Sequence, residues 1–112
     1  MEDLWGEIGK TLDLLDLALA EAKERGQKMV EAEARYCTAK ANRVFELQEA
    51  GMSATAIQMV IKGDEKVQPA MSAYHAAQVE YENAKEARNV YKKRLDTLRE
   101  EYAREWGEAG RS

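Results

Sequence analysis

Two stripes of residues, spaced at alternating steps of three and four, run along most of this chain. That spacing keeps one face of an α-helix turned toward a partner helix. We therefore predict an all-α fold, a long antiparallel helical hairpin that resembles a coiled coil. The first stripe contains Ile8, Leu12, Leu15, Leu19, Ala22, Gly26, Met29, Glu33, Tyr36, Lys40, Arg43 and Leu47. The second contains Val67, Ala70, Tyr74, Ala77, Tyr81, Ala84, Arg88, Tyr91, Leu95, Leu98, Tyr102 and Glu105.

Helix-terminating residues are concentrated between the two stripes. Gly51 is positioned to end the first helix as a C′ glycine, and Ser53 to cap a short helix that Gly63 ends. Two residues are candidates for the N-cap of the last helix. Asp64 is a good N-cap, but Pro69 prefers the first helical position, which makes Gln68 the cap instead.

These signals predict one helical domain over residues 1–112, with a short helix at the bend of the hairpin. We expect helices over about 2–50, 53–62 and 65–106, with a frayed tail over 107–112. The pattern fits two arrangements equally well. The two long helices could pair within one subunit, or each could pair with the helix of another subunit. The expected partners are Leu19 with Leu95, Leu15 with Leu98, Leu12 with Tyr102 and Ile8 with Trp106.

Composition narrows the class of protein. A thin helical hairpin has little interior, so we expect a homo-oligomer. Cys37 is the only cysteine, which suits a reducing compartment, and one cysteine with one histidine cannot form a four-ligand zinc site. No run of about 18 apolar residues is present, and the N-terminus lacks a basic leader segment. We expect a cytoplasmic protein without a membrane partner, metal or cofactor.

The charges are unevenly distributed within a net charge of −4. Residues 1–24 are predominantly acidic, whereas residues 85–99 are predominantly basic. The basic residues could hold phosphates by releasing counterions. We favour neutralisation of the acidic face, because the expected register places the two segments side by side. The basic residues are Lys85, Arg88, Lys92, Lys93, Arg94 and Arg99.

Polar residues interrupt the first stripe near the bend, at Glu33, Lys40 and Arg43. Burial of single charges is costly, so we expect the stripe to open there. The opening exposes an aromatic side chain with cations around it, an arrangement that holds single-stranded nucleic acid without sequence preference. A loosely packed, solvated hairpin end is the alternative. The candidate nucleic-acid-binding residues are Tyr36, Lys40, Arg43, Lys62 and Lys66.

Catalysis is not expected. The hairpin places Cys37 near His75, but a nucleophile also needs an oxyanion site and a pocket, which long helices do not supply. The tyrosines of the second stripe are expected to pack in the core.

Several short motifs resemble a group of small helical proteins encoded by tailed phages. They are Ala34-Arg35-Tyr36, Lys40-Ala41, Leu47, Thr55 and Lys62-Gly63-Asp64. In its arrangement the chain is also similar to the UvsY-type recombination mediators of large phages. The resemblance implies a ring-like homo-oligomer that binds single-stranded DNA and assists recombinase loading onto strands coated by single-strand-binding protein, in the cytoplasm of the host cell. The residues that the resemblance implies for DNA binding are Tyr36, Lys40, Arg43, Lys62 and Lys66.

Two other functions fit the same sequence. One is a phage inhibitor of a host defence protein, in which the acidic residues 1–24 form the active surface. The other is a coiled-coil scaffold that binds no nucleic acid.

Overall fold

The computed structural model describes the backbone of residues 3–111 and the side chains of residues 3–107. Helix α1 spans Leu4–Glu49, helix α2 spans Ala54–Val60, and helix α3 spans Gln68–Arg111. A single 3-10 turn, Ile61–Gly63, follows α2. The described residues contain no strand, and the predicted all-α class is confirmed. Helix α3 continues beyond the predicted end at Trp106, since the residues after it include helix formers and no proline.

The chain divides into two compact units, which are described separately. Unit 1 combines residues 1–24 with residues 82–112, and unit 2 is residues 25–81. In each unit a segment of α1 packs antiparallel to a segment of α3, as the hairpin prediction requires. Self-association and the single domain stay predictions. None of the described helices has both the length and the hydropathy needed to cross a bilayer.

The core of unit 1 is centred on Ile8, Leu95 and Leu98, with Leu15 and Tyr102 packed against it. The predicted register is therefore wrong, because it paired Ile8 with Trp106. The observed partner lies about two helical turns earlier in α3. Such a slip preserves a seven-residue repeat, so the apolar pattern alone could not exclude it.

The core of unit 2 is formed by Leu47, Ile57, Ile61 and Val67, of which Val67 is only 1% exposed. It joins the last turns of α1 to the connector, by which we mean residues 50–67. The connector therefore folds back onto the end of α1, with Ile57 and Ile61 packed against Leu47.

The buried face of α1 also departs from the predicted stripe. Helix α3 follows its prediction from Val67 to Tyr102, and only Glu105 is exposed. On α1 the structure exposes Leu12, Leu19, Glu33 and Lys40, and it covers Thr11, Ala18, Ala32 and Ala39 instead. Small side chains permit a close approach of two helices, which explains why they occupy the interface in place of leucine.

The connector has well-defined ends. Gly51 has φ +89°, and the amides of Gly51 and Met52 donate to the carbonyls of Gln48 and Leu47 over 3.0 Å each. This is a Schellman motif, and it confirms Gly51 as the C′ residue. The Ser53 hydroxyl accepts a hydrogen bond from the Ala56 amide over 3.2 Å, which confirms the predicted cap of α2.

Helix α3 begins at Gln68, and Asp64 caps the turn that leads into it. The carbonyl of Asp64 accepts a hydrogen bond from the Gln68 amide over 2.9 Å, and its Oδ1 accepts one from the Lys66 amide over 2.9 Å. This is the geometry of an N-cap, so the structure favours Asp64 over Gln68 as the cap.

Gly26, a member of the first stripe, lies against an aromatic ring. A Cβ built there would lie 3.3 Å from Cε1 of Tyr81.

Candidate functional site

The five candidate residues lie in unit 2, but the structure does not present them as one exposed group. Tyr36 is half-buried and packs against the unit 2 core. Its ring stacks on that of Tyr74, with 5.9 Å between the centroids. The expectation of an exposed Tyr36 is wrong, because α3 begins early enough to cover this part of α1.

Arg43 is held by carboxylates. Its Nε donates to Oδ2 of Asp64 over 2.8 Å, and its Nη1 donates to Oε2 of Glu46 over 2.9 Å. Lys66 Nζ donates to the same Glu46 oxygen over 3.0 Å. Because the Lys66 amide also donates to Asp64, these four residues form a closed loop of hydrogen bonds, which we call the Arg43 network.

The Arg43 network shifts the pKa of both carboxyl groups. The hydrogen bond from Arg43 lowers the pKa of Asp64. The hydrogen bonds from Lys66 and then Arg43 lower the pKa of Glu46. The carboxylates in turn raise the pKa of Arg43, chiefly through Asp64. Two candidate cations are thus engaged in holding the connector against α1, and Arg43 is half-buried instead of exposed.

Lys40 and Lys62 are placed differently, because both are exposed and both line one open groove between α1 and the connector. The groove has a volume of about 520 Å³. Its apolar floor includes Ile57 and Ile61, which also belong to the unit 2 core. The residues that line this groove, which we call the α1–α2 groove, are Lys40, Val44, Gln48, Ala54, Ile57, Gln58, Ile61 and Lys62.

The outer wall of the same region of α1 is also apolar. Phe45 is 62% exposed, and Cys37 is an exposed free thiol. Both line a shallow depression that shares Lys40, Val44 and Gln48 with the α1–α2 groove. Sequence reasoning missed this wall, although Cys37, Ala41 and Phe45 follow the three-to-four spacing that marks a helix face.

The ring of Tyr74 lies between two polar neighbours. Its hydroxyl accepts a hydrogen bond from Nε2 of Gln78 over 3.0 Å. Burial raises the pKa of Tyr74, and the nearby Glu33 carboxylate raises it further. Glu33, a polar member of the first stripe, is exposed, so its charge remains solvated.

His75 packs its ring against Tyr74, with 5.8 Å between the centroids, and Cys37 is exposed. Over the described residues, the structure places no group of three or more His, Cys, Asp and Glu side chains where it could hold a metal ion.

The charged segments of unit 1 lie at the surface. On the basic side, Lys92, Lys93, Arg94 and Arg99 are exposed, and Lys85 pairs with Glu82 on its own helix over 2.9 Å. On the acidic side, Asp13 and Asp16 are exposed. Mutual neutralisation of the two segments stays a prediction.

Comparison with protein families, with curated proteins and with solved structures finds no match for this chain.

Proposed function

We propose that this protein acts by binding and assembly, not by catalysis, and that its working form is a homo-oligomer. The observation that carries the proposal is the number of large apolar side chains exposed on both units. Leu17 and Val90 in unit 1 are 69% and 63% exposed, and Phe45 in unit 2 is 62% exposed. Exposed apolar surface of this kind marks sites of protein association.

The exposed apolar residues are arranged on helix faces. Leu14 and Leu17 are three residues apart on α1, so they lie one above the other on the same side of the helix. A stripe of this kind is suited to a partner helix. Few residues are buried in the two cores, so these apolar side chains stay in contact with water in a single chain. Assembly would remove them from water.

Light scattering over a range of protein concentrations tests the proposal. We expect a mass that is a multiple of 12.7 kDa and that falls toward one chain on dilution. Leu17→Ser should shift the mass toward monomer while helicity is retained. Ala20→Ser, an exposed neighbour on the same helix, is the matched control and should assemble like the wild type. A monomer at every concentration would overturn the proposal.

A second candidate is an accessory protein of phage recombination or replication that binds single-stranded DNA. The placement of Lys40 and Lys62 on one groove supports it, since two cations beside an apolar floor can hold a nucleic-acid backbone and its bases. The engagement of Arg43 and Lys66 by carboxylates reduces the positive charge available to DNA.

Fluorescence anisotropy of labelled oligo-dT at two salt concentrations tests this second function. Binding should weaken at higher salt and be lost in the double variant Lys40→Glu/Lys62→Glu. Lys92→Glu/Lys93→Glu carries the same charge change on exposed residues of unit 1 and should bind as before. No binding at low salt would exclude the DNA-binding candidate and leave assembly as the function.

A further inference from the structure

The α1–α2 groove has the chemistry of an acceptor for an acidic amphipathic helix. Ile57 and Ile61 form its floor and lie one helical turn apart. Lys40 and Lys62 are the charged residues of its lining, which includes no carboxylate. A helix that docks there needs apolar side chains one turn apart, with carboxylates beside them.

Unit 1 carries a segment with those properties. Asp13-Leu14 and Asp16-Leu17 are two Asp-Leu pairs that are three residues apart on α1, and we call them the Asp-Leu strip. Leu14 and Leu17 are 42% and 69% exposed, and both aspartates are exposed. The leucines stay outside the unit 1 core because Leu15 and Ala18 take the inward positions.

From this complementarity we infer that the Asp-Leu strip of one copy docks in the α1–α2 groove of a second copy. The inference depends on the proposed assembly function and names its contact. The two leucines cover the Ile57 and Ile61 floor, and the two aspartates face Lys40 and Lys62. Opposite charges at the rim of an apolar contact favour the correct partner surface and disfavour the wrong ones.

The charge pattern also selects the symmetry of the contact. A strip-to-strip contact brings aspartates together, and a groove-to-groove contact brings lysines together; both are disfavoured. The strip-to-groove contact joins two different surfaces, so it is heterologous. A repeated heterologous contact generates a closed ring when the rotation between subunits closes, and an open chain otherwise.

Cross-linking from the single cysteine tests the contact. Cys37 lines the depression that shares Lys40 and Val44 with the groove, so a photoreactive maleimide with a spacer on its thiol can extend to whatever occupies the groove. Wild-type protein is labelled, mixed with an equal amount of ¹⁵N-labelled chain, irradiated and digested with trypsin. We expect a cross-linked pair of tryptic peptides, residues 36–40 from one chain and residues 11–23 from the other. One peptide of the pair should carry ¹⁵N and the other should not, which shows that the cross-link joins two chains. Cross-links between chains that map to other peptides would overturn the inference.

Charge exchange tests the same contact without a label. Asp13→Lys/Asp16→Lys and Lys40→Glu/Lys62→Glu should each self-associate at least about tenfold more weakly than the wild type. An equimolar mixture should restore assembly, because each strip then meets a groove of opposite charge. Lys92→Glu/Lys93→Glu is the control and should assemble normally. Circular dichroism confirms that each variant is folded.

The outcomes separate the inference from the proposed function. If the protein assembles but neither double variant weakens assembly, the strip-to-groove contact is overturned and assembly stands. The same holds if the mixture of the two variants fails to restore assembly. If the wild-type chain is monomeric throughout, the proposed function and the inference both fall.

Discussion

Arg43 donates from Nε to Oδ2 of Asp64 over 2.8 Å, and this ion pair joins α1 to the segment that precedes α3. The pair is completed by Glu46 and Lys66, which close the Arg43 network. Two of the four residues, Arg43 and Lys66, were predicted to belong to a nucleic-acid-binding site. Their contacts with carboxylates instead give them a structural role in the connector.

The Arg43 network should make stability depend on acid pH. The pKa values of Asp64 and Glu46 are lowered by folding, so the unfolded chain binds protons more readily. The network's contribution is fully present above the ordinary pKa values of 3.8 and 4.5, and it is lost as the pH falls from there through the lower pKa values of the folded state. Asp64→Asn should lower the melting temperature at pH 7 and flatten its fall below about pH 4.5.

Melting curves recorded by circular dichroism between about pH 3 and 7 test this dependence. Glu65→Gln removes the same charge from an exposed neighbouring residue and is the control. An equal effect of both substitutions would show that net charge, and not the Arg43 network, sets the acid response.

Truncation of the connector's buried face should be costly. Ile57→Ala removes a side chain that is 4% exposed and should lower the free energy of unfolding by about 2–5 kcal/mol. Met59→Ala, in the same short helix but 80% exposed, should change it by less than about 0.5 kcal/mol. Urea denaturation measures both. Similar values for the two variants would contradict the packing of α2 against α1.

The two connector glycines should respond oppositely to alanine. Gly51→Ala forces a side chain into the left-handed region at φ +89° and should destabilise by about 1–2 kcal/mol. Gly63 has no positive φ, and a Cβ there meets nothing within 4 Å. Gly63→Ala should therefore be neutral or stabilising by up to about 1 kcal/mol, through a less flexible unfolded chain. Thermal unfolding of the two variants checks the difference in sign.

Tyr74 should ionise above its ordinary pKa of 10.0, because burial and the Glu33 carboxylate oppose the phenolate. The folded state then holds this proton more tightly than the unfolded state. Its contribution to stability is complete below pH 10.0 and is lost as the pH rises through the higher folded value. An absorbance titration of Tyr74→Phe should show one fewer tyrosine that ionises above pH 10.0 than the titration of the wild type. Loss of an early-ionising tyrosine instead would contradict the burial argument.

The sequence was sufficient for the element types, for Gly51 and Ser53 at the helix ends, and for the buried face of α3. It failed on the buried face of α1, where a heptad pattern favours Leu12 and Leu19 over Thr11 and Ala18. Leucine is the more hydrophobic residue, but close helix packing selects small side chains. That preference depends on the distance between the helices, which periodicity does not encode.

The candidate site was predictable only in part. Lys40 and Lys62 share a surface, as the sequence suggested. The pairing of Arg43 with Glu46 had a local signal, because residues three apart on a helix are neighbours. The pairing with Asp64 had none, since it depends on the connector folding back onto α1. The same fold-back forms the α1–α2 groove. Its lining residues come from separate segments of the sequence, so no local pattern predicts it.

The fold-back of the connector has a consequence for how this chain tolerates insertions and deletions. The heptad stripes tolerate a slip of seven residues, so the connector core of Leu47, Ile57, Ile61 and Val67 favours one alignment of α1 with α3 in unit 2. Insertion or removal of matched heptads in both long helices would leave this core intact. A change of one residue in the connector would displace Val67 and the start of α3 relative to Leu47. We therefore expect changes of length to be tolerated better in the long helices than in the short connector.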